Sequence, residues 1–283
     1  MNCAILGTGN IGVDLYLKLK KKKENKVSIF NLNANSNSAK YCKKMGLNYH
    51  SNGINGVLKN LSNFDIIFDA TNSKSNLKHF KILKSKKKIL VNLTPSKIGK
   101  FYIPYIDNDT DLRSKSFNLI TCGGQSSVPV IYEISKKIKG IKYVEIVSAI
   151  SSRSAGLATR ANIDEYLSIT SKAVKNYTGV GNVKVMLNIN PSEPPKYMSN
   201  SIYIEFRRGL KIKEISLIKK LVNKINRKMK VFAKGYKAEY VGQINKCTLK
   251  IKIKIEGDGD YLPKYAGNLD IITNMATHIT KKN

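Results

Sequence analysis

Short apolar runs alternate with stretches of helical spacing through the first third of the chain. Residues 3–6 form an apolar strand ending at Gly7, and residues 11–23 carry Ile11, Leu15 and Leu19 four apart, on one face of a helix. Residues 27–32, 65–70, 88–93 and 117–121 each read as buried strands bounded by Gly, Asn, Thr or Ser. Strands separated by helical stretches require parallel β-α-β crossovers, so the pattern predicts a doubly wound α/β sheet.

After Cys122 the texture changes. A helix over 126–139 precedes a strand over 143–151, a Ser/Gly/Ala loop and a helix over 162–176; residues 183–189, 202–208 and 249–255 then read as strands of a sheet with one open face. In the last of these Leu249, Ile251, Ile253 and Ile255 alternate with Lys250, Lys252 and Lys254, which puts apolar groups inward and ammonium groups in water. The expected organisation is a first domain over 1–121, joined by a C-terminal helix within 266–283, and an α+β domain over 122–265. A length of 283 residues fits two domains and buries a sizeable core.

Charge is the compositional anomaly. Fifty basic residues against 19 acidic ones give +31, which ordinarily points to nucleic acid or an anionic membrane surface. Only Arg113, Arg153, Arg160, Arg207, Arg208 and Arg227 are arginines; the rest are lysines spread along the whole chain. Dedicated phosphate and base readers favour the bidentate arginine fork. With Asn and Ile abundant and Trp absent, much of the charge reads as the product of A- and T-rich codons, so no specific nucleic-acid or membrane partner is expected. No apolar run reaches a membrane span, and the opening residues pass straight into a strand without the basic and apolar regions of a signal peptide. A cytoplasmic location is expected.

Two places carry candidate chemistry. Gly7-Thr8-Gly9-Asn10-Ile11-Gly12 fits G-x-G-x-x-G between a strand and a helix, where glycines allow a tight turn and let backbone N–H groups approach a pyrophosphate at the positive helix end. This is the Rossmann-type arrangement. The ribose-binding acid expected about 20 residues on falls in residues 30–35, where only Asn is available. Cys122, in Thr121-Cys122-Gly123-Gly124-Gln125, sits at a strand's carboxyl end just ahead of a helix. That placement suits a nucleophile, and a helix N-terminus is expected to lower its pKa. Cys3, Cys42 and Cys247 form no C-x-x-C pair and no His cluster, so neither a metal site nor a disulfide framework is read. His50, His79 and His278 lie away from Cys122 in sequence, and Asp164-Glu165 read as ordinary first-turn acids of a helix.

These residues carry a family resemblance. Residues 7–12 with Asp14, 66–71, Leu93-Thr94-Pro95, 121–125 with Pro129, 154–166, 190–195 and 257–273 together resemble the acylating acetaldehyde dehydrogenases, whose members typically pair with a 4-hydroxy-2-oxovalerate aldolase. The resemblance implies an NAD-dependent oxidoreductase that converts acetaldehyde and coenzyme A to acetyl-coenzyme A, with Cys122 as acyl-thioester nucleophile. It also implies NAD contacts from Thr8, Gly9, Asn10 and Ile11, from Ser154, Ala155, Gly156, Leu157, Ala158, Thr159, Arg160, Ala161 and Asn162, and from Asn268. A homodimer within a heterotetramer with the aldolase is implied as well. The chain departs from the family at Leu157 and Ala158, where Pro and Gly are usual, at Asn33, near which an acid is usual, and at Asn200, which stands for Asp. Backbone N–H groups near Gly123 and Gly124 are the expected oxyanion donors. Two other readings are a phosphorylating semialdehyde dehydrogenase of similar architecture and a basic nucleic-acid-binding protein.

Overall fold

A computed structural model describes residues 1–113 and 115–280, apart from the side chains of residues 157 and 158. Two compact units divide the chain: Met1–Ile120 together with the chain from Ile272, and Thr121–Ile271.

The first unit is built on strands β1 (Asn2–Leu6), β2 (Lys26–Phe30), β3 (Tyr49–His50), β4 (Ile66–Asp69), β5 (Ile89–Asn92), β6 (Lys100–Phe101) and β7 (Ser116–Asn118). Their order is β3-β2-β1-β4-β5-β7-β6, and every neighbouring pair is parallel. Helices α1 (Asn10–Lys20), α2 (Asn37–Lys44), α3 (Gly53–Lys59) and α4 (Ser73–Leu83) supply crossovers. Ile66, Ile67 and Phe68 are all buried, as a central parallel strand covered on both faces requires. The strand expected over 117–121 stops at Asn118 for a local reason. The Asn118 Oδ1 accepts the Ile120 N–H at 2.7 Å, and Ile120 is held at φ 50°, a left-handed conformation that a β-branched residue rarely adopts.

The second unit comprises α5 (Cys122–Lys137), β8 (Ile141–Ser151), α6 (Leu157–Ala161), α7 (Ile163–Thr178), β9 (Asn182–Asn190), β10 (Met198–Phe206), α8 (Ile212–Met229), β11 (Gly235–Gln243) and β12 (Thr248–Glu256). Its sheet runs β11-β12-β10-β8-β9, antiparallel except for β8 with β9. Helices α5, α7 and α8 pack on the sheet. The alternation in β12 holds: Leu249, Ile251, Ile253 and Ile255 are buried while Lys252 and Lys254 are exposed. The Lys254 ammonium lies 4.2 Å from the centre of the Tyr197 ring, a cation–π contact on the open face of the sheet.

Three expectations need correction. Helix α5 starts at Cys122 rather than 126, because Thr121 caps it by accepting the Gly124 N–H at 3.0 Å. Helix α8 and strand β11 were not anticipated; α8 buries Ile218, Leu221, Val222, Ile225 and Met229 on one face, and its many lysines lie between them. The Ser/Gly/Ala loop contains a single 3₁₀ turn, Ser152–Ser154, and the short α6. Helix α9 (Gly267–Ile279) starts in the second unit and ends in the first.

Candidate active site

In the first unit the chain turns from β1 into α1 through residues that tolerate no side chain. Gly7 has φ +104°, and a Cβ on it would stand 2.7 Å from the Ala70 carbonyl oxygen; one on Gly12 would stand 2.0 Å from the Gly7 oxygen. Gly9 is different, with open space where its Cβ would be, and it starts α1 without any side-chain cap. The first N–H groups of a helix have no partner inside it, so this end offers bare donors and positive dipole to a phosphate. The glycine turn opens on a cleft of about 390 Å³ lined by the β1, β2 and β4 carboxyl ends, with Thr8, Asn31, Asn33 and Thr71 among its walls. It lies at the switch point of the strand order, between β1 and β4. These residues fit the pyrophosphate of a dinucleotide. Thr8 is buried, with its hydroxyl 2.9 Å from that of Ser38, while Gly9 and Asn10 are exposed and Ile11 is half-buried.

The same cleft is walled by a histidine that sequence reasoning set aside. His79 Nδ1 lies 2.8 Å from the buried Asp69 Oδ2, and Asp69 also accepts the Thr71 N–H and hydroxyl. Only the packing of α4 beside β4 brings this pair together, so nothing local in the sequence announces it.

The second unit holds Cys122 at the first position of α5. It is half-buried, and its thiol donates to the Tyr166 hydroxyl of α7 at 3.8 Å. Tyr166 in turn accepts the Gly123 N–H at 3.1 Å and donates to Ser148 Oγ of β8 at 3.2 Å. Thr121 Oγ1 lies 2.6 Å from Thr170 Oγ1, fixing the same end of α5 to α7. Asn200 sits opposite Ser148 in the β8/β10 ladder and donates to Ser126 Oγ at 2.6 Å and Ser127 Oγ at 2.9 Å. An Asp here has no proton to give those serines, so Asn200 is a fitted strut under α5; its Oδ1 is buried without a partner.

Two chemical expectations are corrected by this geometry. The backbone N–H groups of Gly123 and Gly124 are not free oxyanion donors, because Tyr166 and Thr121 already take them. Nor is the thiol pKa lowered. Burial pushes Cys122 up to about 11, outweighing the Tyr166 hydroxyl and the backbone N–H groups of Gly123 and Cys122, which pull the other way.

The remaining expected contacts cluster in the second unit. Ser154 is buried and donates to the Ser151 carbonyl; Arg160 closes the loop on itself through the Ala155 and Ser152 carbonyls. Ala155 is buried, Gly156 and Ala161 are exposed, Thr159 is half-buried, and the Asn162 carbonyl receives the Tyr166 N–H at the start of α7. The side chains of Leu157 and Ala158 lie outside the described residues. The turn Lys264–Ala266 packs on Ser152–Ser154, which brings Asn268 toward this loop, and its buried Oδ1 has no partner. Thr8, Gly9, Asn10 and Ile11 belong to the first unit.

Comparison with known proteins agrees with this arrangement. Residues 122–263 match the family model for the dimerisation domain of prokaryotic acetaldehyde dehydrogenase. The chain is 38% identical over 280 residues to an acetaldehyde dehydrogenase of Pectobacterium atrosepticum, covering 98% of this chain and 93% of the relative. It is 39% identical over 277 residues to one of Carboxydothermus hydrogenoformans, covering 98% and 91%. In fold it is similar to aspartate semialdehyde dehydrogenase II of Vibrio cholerae, with a TM-score of 0.64 at 10% identity over 99% of this chain and 97% of that one. Full-length identity of this degree, carried by a chain with a nucleotide-type glycine turn and a helix-start cysteine, shows that the protein belongs to the acetaldehyde dehydrogenase family of oxidoreductases.

Proposed function

We propose that the chain is the acylating form of this enzyme, oxidising acetaldehyde with NAD and passing the acyl group to coenzyme A through a thioester on Cys122. The observation that carries the reading is the position of Cys122 at the first residue of α5, half-buried and hydrogen-bonded by its sulfur. The sulfur, as thiolate, attacks the aldehyde carbon and forms a thiohemiacetal. NAD, when bound, supplies the hydride acceptor. Loss of hydride leaves an acyl thioester on Cys122; the coenzyme A thiol then displaces it and the Cys122 thiolate returns. Exchange between two thioesters is nearly isoenergetic, so the activation of the carbonyl is kept.

The uncapped N-terminus of α1 and the open space at Gly9 support a pyrophosphate there, with Thr8, Asn10 and Ile11 around it. Asn268, with a buried carbonyl oxygen lacking a donor, and the Ser154–Asn162 segment are proposed as further cofactor-binding residues on the family resemblance. The match to a dimerisation domain supports a homodimer. An aldolase that delivers acetaldehyde directly is proposed from the family resemblance alone, together with a cytoplasmic location.

The test is the NADH absorbance produced from acetaldehyde and NAD, with coenzyme A or with inorganic phosphate. Turnover dependent on coenzyme A, lost in Cys122→Ala, with the acetyl group mapped to Cys122 by mass spectrometry, is the expected result. Turnover with phosphate alone favours the semialdehyde-type reaction, and acyl transfer surviving in Cys122→Ala overturns the assignment of the nucleophile.

A further inference from the structure

The group beside the Cys122 sulfur is a phenol with a second hydroxyl behind it. A tyrosine hydroxyl has one proton to give and two lone pairs to fill. With Cys122 as a thiol the count closes: the S–H and the Gly123 N–H fill the lone pairs, and the phenol proton goes to Ser148. With Cys122 as a thiolate it also closes. The phenol proton turns to the sulfur, and the Ser148 hydroxyl reverses to donate into the lone pair the thiol has left. Building on the reading of Cys122 as nucleophile, we propose that Tyr166 and Ser148 form a reversible hydrogen-bond relay that stabilises the Cys122 thiolate, with Tyr166 turning its proton from Ser148 to Sγ. No proton passes between these residues: two hydroxyls rotate, and the thiol proton leaves to water.

Several features favour this over mere packing. Tyr166 and Ser148 are both buried, so water is a poor substitute for either partner. Burial holds the Tyr166 hydroxyl well above its ordinary value, so it remains a donor wherever the enzyme works. Among the described residues of this unit no ionised side chain acts on the sulfur. Lys224 of α8 pairs with Glu133 further along α5, and the groups acting on Cys122 are Tyr166 and backbone N–H. Gly123 has no side chain to push the phenol away.

The test is the rate of Cys122 alkylation by iodoacetamide against pH, read on the Cys122 peptide by mass spectrometry, which does not depend on turnover. Tyr166→Phe removes the donor to the thiolate, and alkylation near neutral pH is expected to slow about tenfold, one unit of apparent pKa. Ser148→Ala costs one hydrogen bond in each state, and the one lost in the thiolate state, donated to a phenol that is itself donating to an anion, is the stronger. Alkylation is therefore expected to slow by about threefold, less than in Tyr166→Phe. A Tyr166→Phe profile that superimposes on the wild type overturns the relay, and so does an equal slowing in both variants, the mark of packing damage. Should Tyr166→Phe fail to fold, Ser148→Ala decides alone: slower alkylation with an unchanged urea midpoint supports the relay, and any other result overturns it. The two readings separate cleanly. Acetylation of Cys122 with an unchanged Tyr166→Phe profile keeps the nucleophile and removes the relay; the graded slowing with activity surviving in Cys122→Ala does the reverse.

Discussion

A Cβ on Gly123 would stand 2.2 Å from the Tyr166 hydroxyl and 2.7 Å from Ser148 Oγ, so the glycine after Cys122 lets α7 and β8 approach the start of α5. In an isolated helix Gly123→Ala gains up to about 1 kcal/mol of propensity. Here the overlap, about 1 to 3 kcal/mol, is larger. The variant is expected to be less stable by about 1 kcal/mol net, with kcat falling at least about tenfold. Adding Tyr166→Phe removes the nearer of the two oxygens and leaves Ser148 Oγ, so the double variant regains part of the stability in a urea titration without regaining kcat. If the two changes are additive, the residues do not oppose each other as described.

The raised thiol pKa has a consequence for stability. Cys122 is pushed from its ordinary 9.0 to about 11, and Cys3 to about 12, in both cases chiefly by burial. A group whose folded pKa lies above its unfolded value contributes stability in full below the unfolded pKa and loses it as pH rises toward the folded one. Stability is therefore expected to fall from about pH 9 upward, and the fall is shallower in Cys122→Ala. Urea midpoints of both proteins at about pH 8 and about pH 10.5 check this; parallel losses would show that Cys122 does not ionise differently on unfolding.

Helix α1, which carries the glycine turn, is tied down by a buried ion pair. Lys18 Nζ lies 2.8 Å from Asp14 Oδ2 and donates to Thr273 Oγ1 at 2.8 Å, while the Thr273 hydroxyl itself donates to Asp14. Asp14→Ala removes the carboxylate that the buried Lys18 ammonium and the Thr273 hydroxyl share, and is expected to cost about 3 kcal/mol. The double variant Asp14→Leu, Lys18→Met removes both charges and is expected to recover most of it. NAD affinity by fluorescence titration is expected to weaken with the single variant, since α1 presents the bare N–H groups.

What could be read in the sequence depended on how far apart the cooperating residues lie. The turn from β1 into α1 was legible because Gly7, Gly9 and Gly12 do their work within one local segment, and Cys122 was legible because the flanking glycines and the strand before it are contiguous. The role of Tyr166 was not, because it comes from 44 residues away and depends on how α7 lies against α5. Tyr166 also takes the Gly123 N–H, while the Gly124 N–H goes to the Thr121 hydroxyl three residues before it, so the two expected oxyanion donors are lost for one distant and one local reason. Helix α8 was missed for another reason. Lysines at 213, 219, 220, 224 and 228 interrupt a regular apolar stripe of Ile218, Leu221, Val222, Ile225 and Met229, so the charge run hides the helical period.

The end of β2 is where the choice between NAD and NADP is expected to be set. Asn31, Leu32 and Asn33 line the cleft where the family usually has an acid, and the chain holds them in a tight turn: Asn31 Nδ2 donates to the Asn33 carbonyl and to Ser36 Oγ, while Asn33 Oδ1 accepts the Asn35 N–H at 3.0 Å. The turn accounts for an Asn here, since it needs an acceptor and not a charge. An Asp at 33 keeps that acceptor and adds a negative charge to the cleft wall, where it repels a 2′-phosphate and can accept from a ribose hydroxyl. Lys40 on α2 is exposed and pulls the other way for a 2′-phosphate. The wild type is therefore expected to prefer NAD only modestly, and Asn33→Asp is expected to raise the ratio of kcat/KM for NAD over NADP by about tenfold, a fraction of the full Coulomb interaction at such a half-wetted site. Lys40→Ala should shift the ratio in the same direction by lowering NADP turnover. The turn itself is preserved in Asn33→Asp, so the urea midpoint serves as a control and should not move. A ratio unchanged in both variants would place the ribose contact outside the 31–40 segment.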